Sequence, residues 1–155
     1  MERTVMEYGT IEREIRIAAT PEVVYEVITR PEHIAAWWGF DAVFEGTTGT
    51  LSRTRRDGSG PVVVPVSVLE ARPPRRFVFR WVQPEGQAAT PENSFLVTFE
   101  LVPEDGGTLL KLTEAGFREI GWEAARLEAY HRDHSAGWDE HLPNLAAYAA
   151  GLVRS

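Results

Sequence analysis

The stretch Pro31-Glu32-His33-Ile34-Ala35-Ala36-Trp37-Trp38-Gly39-Phe40 decides how this chain is read. Pro31 and Glu32 open a short helical run, Ile34 supplies its apolar side, and Gly39 ends it. Two adjacent indoles cannot lie on one face of a helix or a strand. Each buries about 150–250 Å² when enclosed, so the pair at the end of so short a helix demands a large apolar receptor. Upstream, Thr20-Pro21-Glu22 is a helix start: Thr20 as cap, Pro21 at the first helical position, an acid in the first turn. Val23, Val24, Val27 and Ile28 form the buried stripe of that helix, and Arg30-Pro31 ends it. Before it, Ile11, Ile15 and Ile17 alternate with Glu12, Glu14 and Arg16, the period of a half-buried strand. Arg13 falls on the apolar face and is expected at a surface or rim.

Downstream of Phe40 the period becomes two. A strand is expected over 41–45, turned by Gly46-Thr-Thr-Gly49, and another over 50–55. Arg56-Asp57-Gly58-Ser59-Gly60 joins that strand to one over 62–71. Pro65 inside the latter predicts an edge position or a bulge. Phe77, Phe79 and Trp81 share one face of the next strand, opposite Arg76, Val78 and Arg80. Phe95, Val97, Phe99 and Leu101 line the following one, and Leu110 and Leu112 the last. From about Trp122 the chain is helical. Leu127, Tyr130, His134, Trp138, Leu142, Leu145, Tyr148 and Leu152 recur every three or four residues. Gly137 weakens this helix, and Pro143 predicts a kink or short break.

Composition bounds the function. At 155 residues the chain is read as one domain, 1–155 with a core over 11–152. A net charge of −7, with Lys111 the single lysine, argues against nucleic acid as a partner. Arg53, Arg55 and Arg56 cluster locally and are read as a solvated hairpin end. No cysteine is present, which excludes disulfides and thiolate chemistry. Neither a signal peptide nor a run of about 18 apolar residues is visible, so a cytoplasmic protein without a membrane partner is expected.

Few residues carry chemistry. His134 and His141 are seven apart on one helix face, about 10 Å between Cα atoms, too far for two direct ligands to one zinc. His131-x-x-His134 has no third ligand in view. No metal and no cofactor are expected. Glu70, Glu100 and Glu114 lie on different strands, and spacing reveals no carboxylate pair among them. No phosphate loop and no Gly-x-Ser-x-Gly elbow occur. His134, inside the apolar stripe one turn before Trp138, is a candidate polar anchor or acid/base. Trp81 and Trp138 are read as pocket lining, and most of the Trp37–Trp38 pair as core. Tyr25 is read as packing against the sheet.

The succession of strand, two short helices, six strands and long helix predicts an α+β helix-grip fold: a curved antiparallel sheet of six to seven strands wrapped on a long terminal helix. The residues Ile15-Arg-Ile-Ala-Ala19-Thr-Pro21-Glu22-Val-Val-Tyr25, then Pro31-Glu32-His33 leading into Trp37-Trp38, then Gly137-Trp138 with Leu142 and Leu145, carry a resemblance. The chain resembles the START-like (SRPBCC) superfamily, and within it the small stand-alone bacterial form of the branch named after the activator of the heat-shock-ninety ATPase. The resemblance runs from about Ile11 to Leu152. It implies a pocket between the long helix and the concave sheet face. Read with the residues above, it leads to a protein that binds a small hydrophobic or aromatic ligand, with Trp38, Phe40, Phe79, Trp81, Phe95, Val97, His134, Trp138 and Leu142 as ligand-binding residues. No catalytic residue is assigned beyond His134 as a candidate. The alternatives are a cyclase- or aromatase-type enzyme using the same pocket, and a chaperone-cofactor interaction module. A homodimer is compatible with all three.

Overall fold

A computed structural model describes residues 9–55, 57–84 and 86–154. Arg56 of the basic cluster and the N-terminal residues 1–8 lie outside them.

The chain runs β1 (Ile11–Ile17), α1 (Pro21–Thr29), α2 (Pro31–Trp37), β2 (Asp41–Glu45), β3 (Thr48–Thr54), β4 (Pro61–Arg72), β5 (Arg76–Trp81), β6 (Phe95–Glu104), β7 (Gly107–Ala115) and α3 (Ala124–Arg154). The seven strands form one antiparallel sheet in the order β1-β7-β6-β5-β4-β3-β2. Thr20 caps α1 by accepting from the Val23 N–H at 3.3 Å, with Pro21 in the first turn. Period-two alternation turns one row of side chains per strand toward α3. Phe79, Val97, Glu114 and Ile11 are cross-strand neighbours in one such row. Phe77, Phe99, Leu112 and Arg13 form the next. Against this concave face α3 sets Trp138, Leu142, Leu145 and Ala149, all buried. The core is continuous from there to Val24, Val27 and Ile28 of α1 and Ile34 and Trp37 of α2.

Four sequence expectations need correction or refinement. The indoles of Trp37 and Trp38 do come together, stacked with centroids 4.9 Å apart and planes 6° from parallel. Trp38 is the cap residue where α2 stops, so its ring is not bound to helical spacing. Trp37 is pinned by donating its indole N–H to the Val27 carbonyl at 2.9 Å. Pro65 lies in β4, an interior strand, and the register shift in β4 falls between Val68 and Glu70 instead. The Pro65 carbonyl meets the Val82 N–H at 3.4 Å. Its nitrogen faces the same side, just past Trp81, the last paired residue of β5, so no ladder bond is lost there. Helix α3 continues through Pro143 without a break, with that proline exposed to solvent. Finally, Arg13 does not merely lie at a rim: it clips β1 to α3 through Asp139 at 2.7 Å.

Candidate functional site

The concave face is apolar except where β7 continues its alternation. Thr108, Leu110, Leu112 and Glu114 are the buried residues of that strand. Glu114, one position from its end, is wholly enclosed. A carboxylate in such a place needs its lone pairs filled, and four side chains do so. The Trp138 indole N–H donates to Oε1 at 2.9 Å, and His134 Nδ1 lies 3.1 Å from the same oxygen. Oε2 accepts from the Trp81 indole N–H at 2.9 Å and from the Tyr130 hydroxyl at 2.6 Å. Three donors come from successive turns of α3, at positions 130, 134 and 138, a spacing of four that puts them on one face. The fourth comes from the end of β5.

The electrostatics follow from this shell. Burial by itself raises the Glu114 pKa. The His134 hydrogen bond, with those of Tyr130 and Trp138, outweighs burial and holds the group below the ordinary carboxylate range. Desolvation, then the Glu114 charge and bond, push the Tyr130 hydroxyl well above its usual value, so it remains a donor. Against an ionised Glu114, His134 Nδ1 carries the hydrogen, which fixes the imidazole. The Tyr130 ring stacks on that imidazole at 3.7 Å, and the Trp81 ring meets it edge-on at 5.5 Å.

Above this floor is a cavity of about 360 Å³ between α3 and the sheet, in the size range of small-molecule sites. Trp38, Phe40, Trp81, Tyr130, His134 and Trp138 line it together with Gly137, His141 and the exposed Arg53 and Asp133. Trp38 touches both Trp81 and Trp138, at 5.6 and 5.5 Å between centroids. The Arg53 guanidinium lies 5.3 Å from the Phe40 ring centroid.

Of the residues expected to bind a ligand, Trp38, Phe40, Trp81, His134 and Trp138 meet at this cavity. The other four do not line it. Phe79 borders a separate apolar void of about 10 Å³ near Ile28 and Leu51. Phe95 stacks on Tyr130 at 4.0 Å, and Val97 and Leu142 are buried core. Sequence reading missed Glu114 and Tyr130 as members of the site. The available signal was the phase of β7, in which Glu114 stands two residues after Leu112 on the apolar side. Glu70 and Glu100 are elsewhere, both bonded to Arg76 at 3.0 and 2.9 Å on the outer side of the sheet. Arg80 also points away from the cavity, toward Ser94. Tyr25 packs edge-on against Phe77 at 6.2 Å. Among the described residues no three histidine, aspartate or glutamate side chains gather to hold a metal, and no helix is long and apolar enough to cross a membrane.

Solved structures share this architecture. Protein MLL2253 from Mesorhizobium loti superposes with a TM-score of 0.69 at 21% identity, over 94% of this chain and 98% of that one. The Aha1 dimer from Colwellia psychrerythraea gives 0.64 at 21% identity, over 88% and 92% of the two chains. DynU16, from the dynemicin biosynthetic locus, gives 0.64 at 20% identity, over 90% of this chain and 46% of that one. At such identities the likeness is one of fold. Among curated proteins none matches. The family model described as Activator of Hsp90 ATPase homolog 1-like protein matches residues 18–150, nearly all of the helix-grip core, and the chain belongs to that family.

Proposed function

We propose that this protein binds a small, flat, largely apolar or aromatic molecule in the cavity between α3 and the sheet. One observation carries the reading: three indoles and a phenylalanine wall a space of about 360 Å³ whose floor holds an ionised, fully bonded carboxylate. A solid core has no use for so elaborate a polar floor, because replacing a buried charge network by packed apolar groups is often neutral or stabilising. Apolar surface covered on the ligand contributes about 25 cal/mol per Å², and His134 supplies orientation.

The test follows from the geometry. Trp81 and Trp138 are poor probes, since truncating either removes a Glu114 donor and harms the fold as well as the cavity. Trp38 and Phe40 face the cavity and make no bond to Glu114. Phe40→Ala and Trp38→Leu should weaken binding of naphthalene-sized aromatic probes, followed by quenching of intrinsic tryptophan emission, by about tenfold or more, with the urea midpoint moved much less. Equal loss of both properties, or no binding of any aromatic probe by the wild type, would leave these residues as core.

A second reading is supported by the His134–Glu114 pair. An imidazole fixed by a carboxylate at the edge of a cavity is the arrangement of a general acid/base, so a cyclase- or aromatase-type reaction is the alternative. In that case His134→Gln abolishes turnover while substrate binding persists.

A further inference from the structure

Resting on the binding reading above, we propose that the cavity selects aromatic molecules carrying an acidic hydroxyl, and that His134 Nε2 takes the phenolic proton so that the ligand is held as a phenolate. The Trp81 and Trp138 indole N–H groups and the Tyr130 hydroxyl are all spent on Glu114. None remains to receive an amide or a preformed carboxylate. His134 uses Nδ1 for Glu114. The two nitrogens of an imidazole diverge across the ring, so with Nδ1 turned to the floor, Nε2 turns toward the cavity that His134 lines. It has no hydrogen-bond partner among the described residues. With hydrogen on Nδ1, Nε2 carries a lone pair. Of the polar atoms gathered around Glu114, Nε2 is the one left for a ligand; it is a base, and its complement is an O–H donor on an aromatic body.

The proton balance is simple. The phenolic O–H bond breaks, its electron pair stays on oxygen, and an N–H bond forms at Nε2. The product is an imidazolium between two anions, the phenolate and Glu114. Glu114 is a positioning residue here: it fixes the ring and stabilises the imidazolium without touching the ligand. A neutral ligand brought in and ionised in place also avoids carrying a charge past the buried carboxylate. The other charged or titratable groups facing this space are Tyr130 on the floor, the exposed Arg53 from β3 and Asp133 from α3, and the half-buried His141 from α3. Arg53 favours a bound anion and Asp133 disfavours it, so the pair sets no net preference by itself.

Two probes of nearly the same shape test the proposal: 4-nitrophenol, whose ionised form absorbs in the visible, and 4-nitroanisole, which has no acidic proton. At a pH about one unit below the phenol's own pKa, roughly nine-tenths of the free probe is un-ionised. Wild-type protein should generate the phenolate band and bind 4-nitrophenol about tenfold more tightly than 4-nitroanisole, the advantage of a charge-assisted hydrogen bond. His134→Asn should abolish the band and remove the preference for 4-nitrophenol over 4-nitroanisole. Arg53→Gln should keep the band. Binding of 4-nitrophenol without ionisation, a band that survives in His134→Asn, or a band lost in Arg53→Gln would overturn the assignment to His134. If neither probe binds, the binding reading falls with it. Should His134→Asn fail to fold, histidine-labelled ¹⁵N spectra of the wild type decide. Bound 4-nitrophenol must convert His134 Nε2 from a bare to a protonated nitrogen, and an unchanged signal overturns the proposal.

Discussion

Glu114 is the residue on which the site turns. It offers two oxygens to four donors, so its removal orphans several buried groups at once. A glutamine there has one acceptor oxygen and brings hydrogens of its own. Each buried donor left unpaired costs about 1–3 kcal/mol, and Glu114→Gln should lower unfolding stability by about 3 kcal/mol or more, read from urea melts. The pH dependence has a definite sign. In the folded protein the Glu114 pKa lies below the ordinary range, so the unfolded chain binds its proton more readily. Its contribution is complete above the unfolded-state pKa and is lost as pH falls through the folded-state value. The stability gap between wild type and Glu114→Gln should therefore narrow on acidification. A gap that stays constant would mean that Glu114 is not ionised in the fold. The phase of β7 made the burial of Glu114 readable from Leu110 and Leu112. Its partners were not readable, because Trp81 lies two strands away and Tyr130, His134 and Trp138 reach it only through the docking of α3.

At the scale of elements, strands and helices were legible because local signals agreed: Thr20-Pro21 at a helix start, Asp57-Gly58 in a hairpin, phenylalanines at every second position. Pro65 misled because a proline's tolerance in a sheet depends on where the neighbouring strand ends, and strand ends are not local. Pro143, expected to kink or break α3, leaves it unbroken. The packing of Trp138, Leu142, Leu145 and Ala149 on the sheet carries α3 across it. Close backbone approach was likewise hidden. A Cβ on Gly107, at the start of β7, would lie 2.6 Å from the Ile17 carbonyl oxygen. Gly107→Ala should force β1 and β7 apart and cost about 1–3 kcal/mol, measured as a shift in urea midpoint. A neutral result would show that the sheet edge yields freely.

For the molecule as a whole, the long helix and the concave sheet face are held apart at one end by aromatic rings and closed together at the other by aliphatic side chains. The sequence pattern conveyed that two-layer plan, including the placement of Trp81 and Trp138 between layers. It could not convey how much space the rings leave, since that is a difference between large volumes. Because a ligand that binds only the folded state stabilises it by mass action, an aromatic molecule at 100 times its dissociation constant should add about 2.7 kcal/mol. That amounts to a rise in melting temperature of several degrees in a thermal-shift screen. A library of planar phenols that leaves the melting temperature unmoved would count against the cavity as a binding site.

The contact of Trp38 with Trp37, Trp81 and Trp138 has a consequence for light. Ring centroids between 4.9 and 6.0 Å link these four indoles, close enough for excitation to hop among them before emission. A quencher that touches only Trp38 should therefore darken all four.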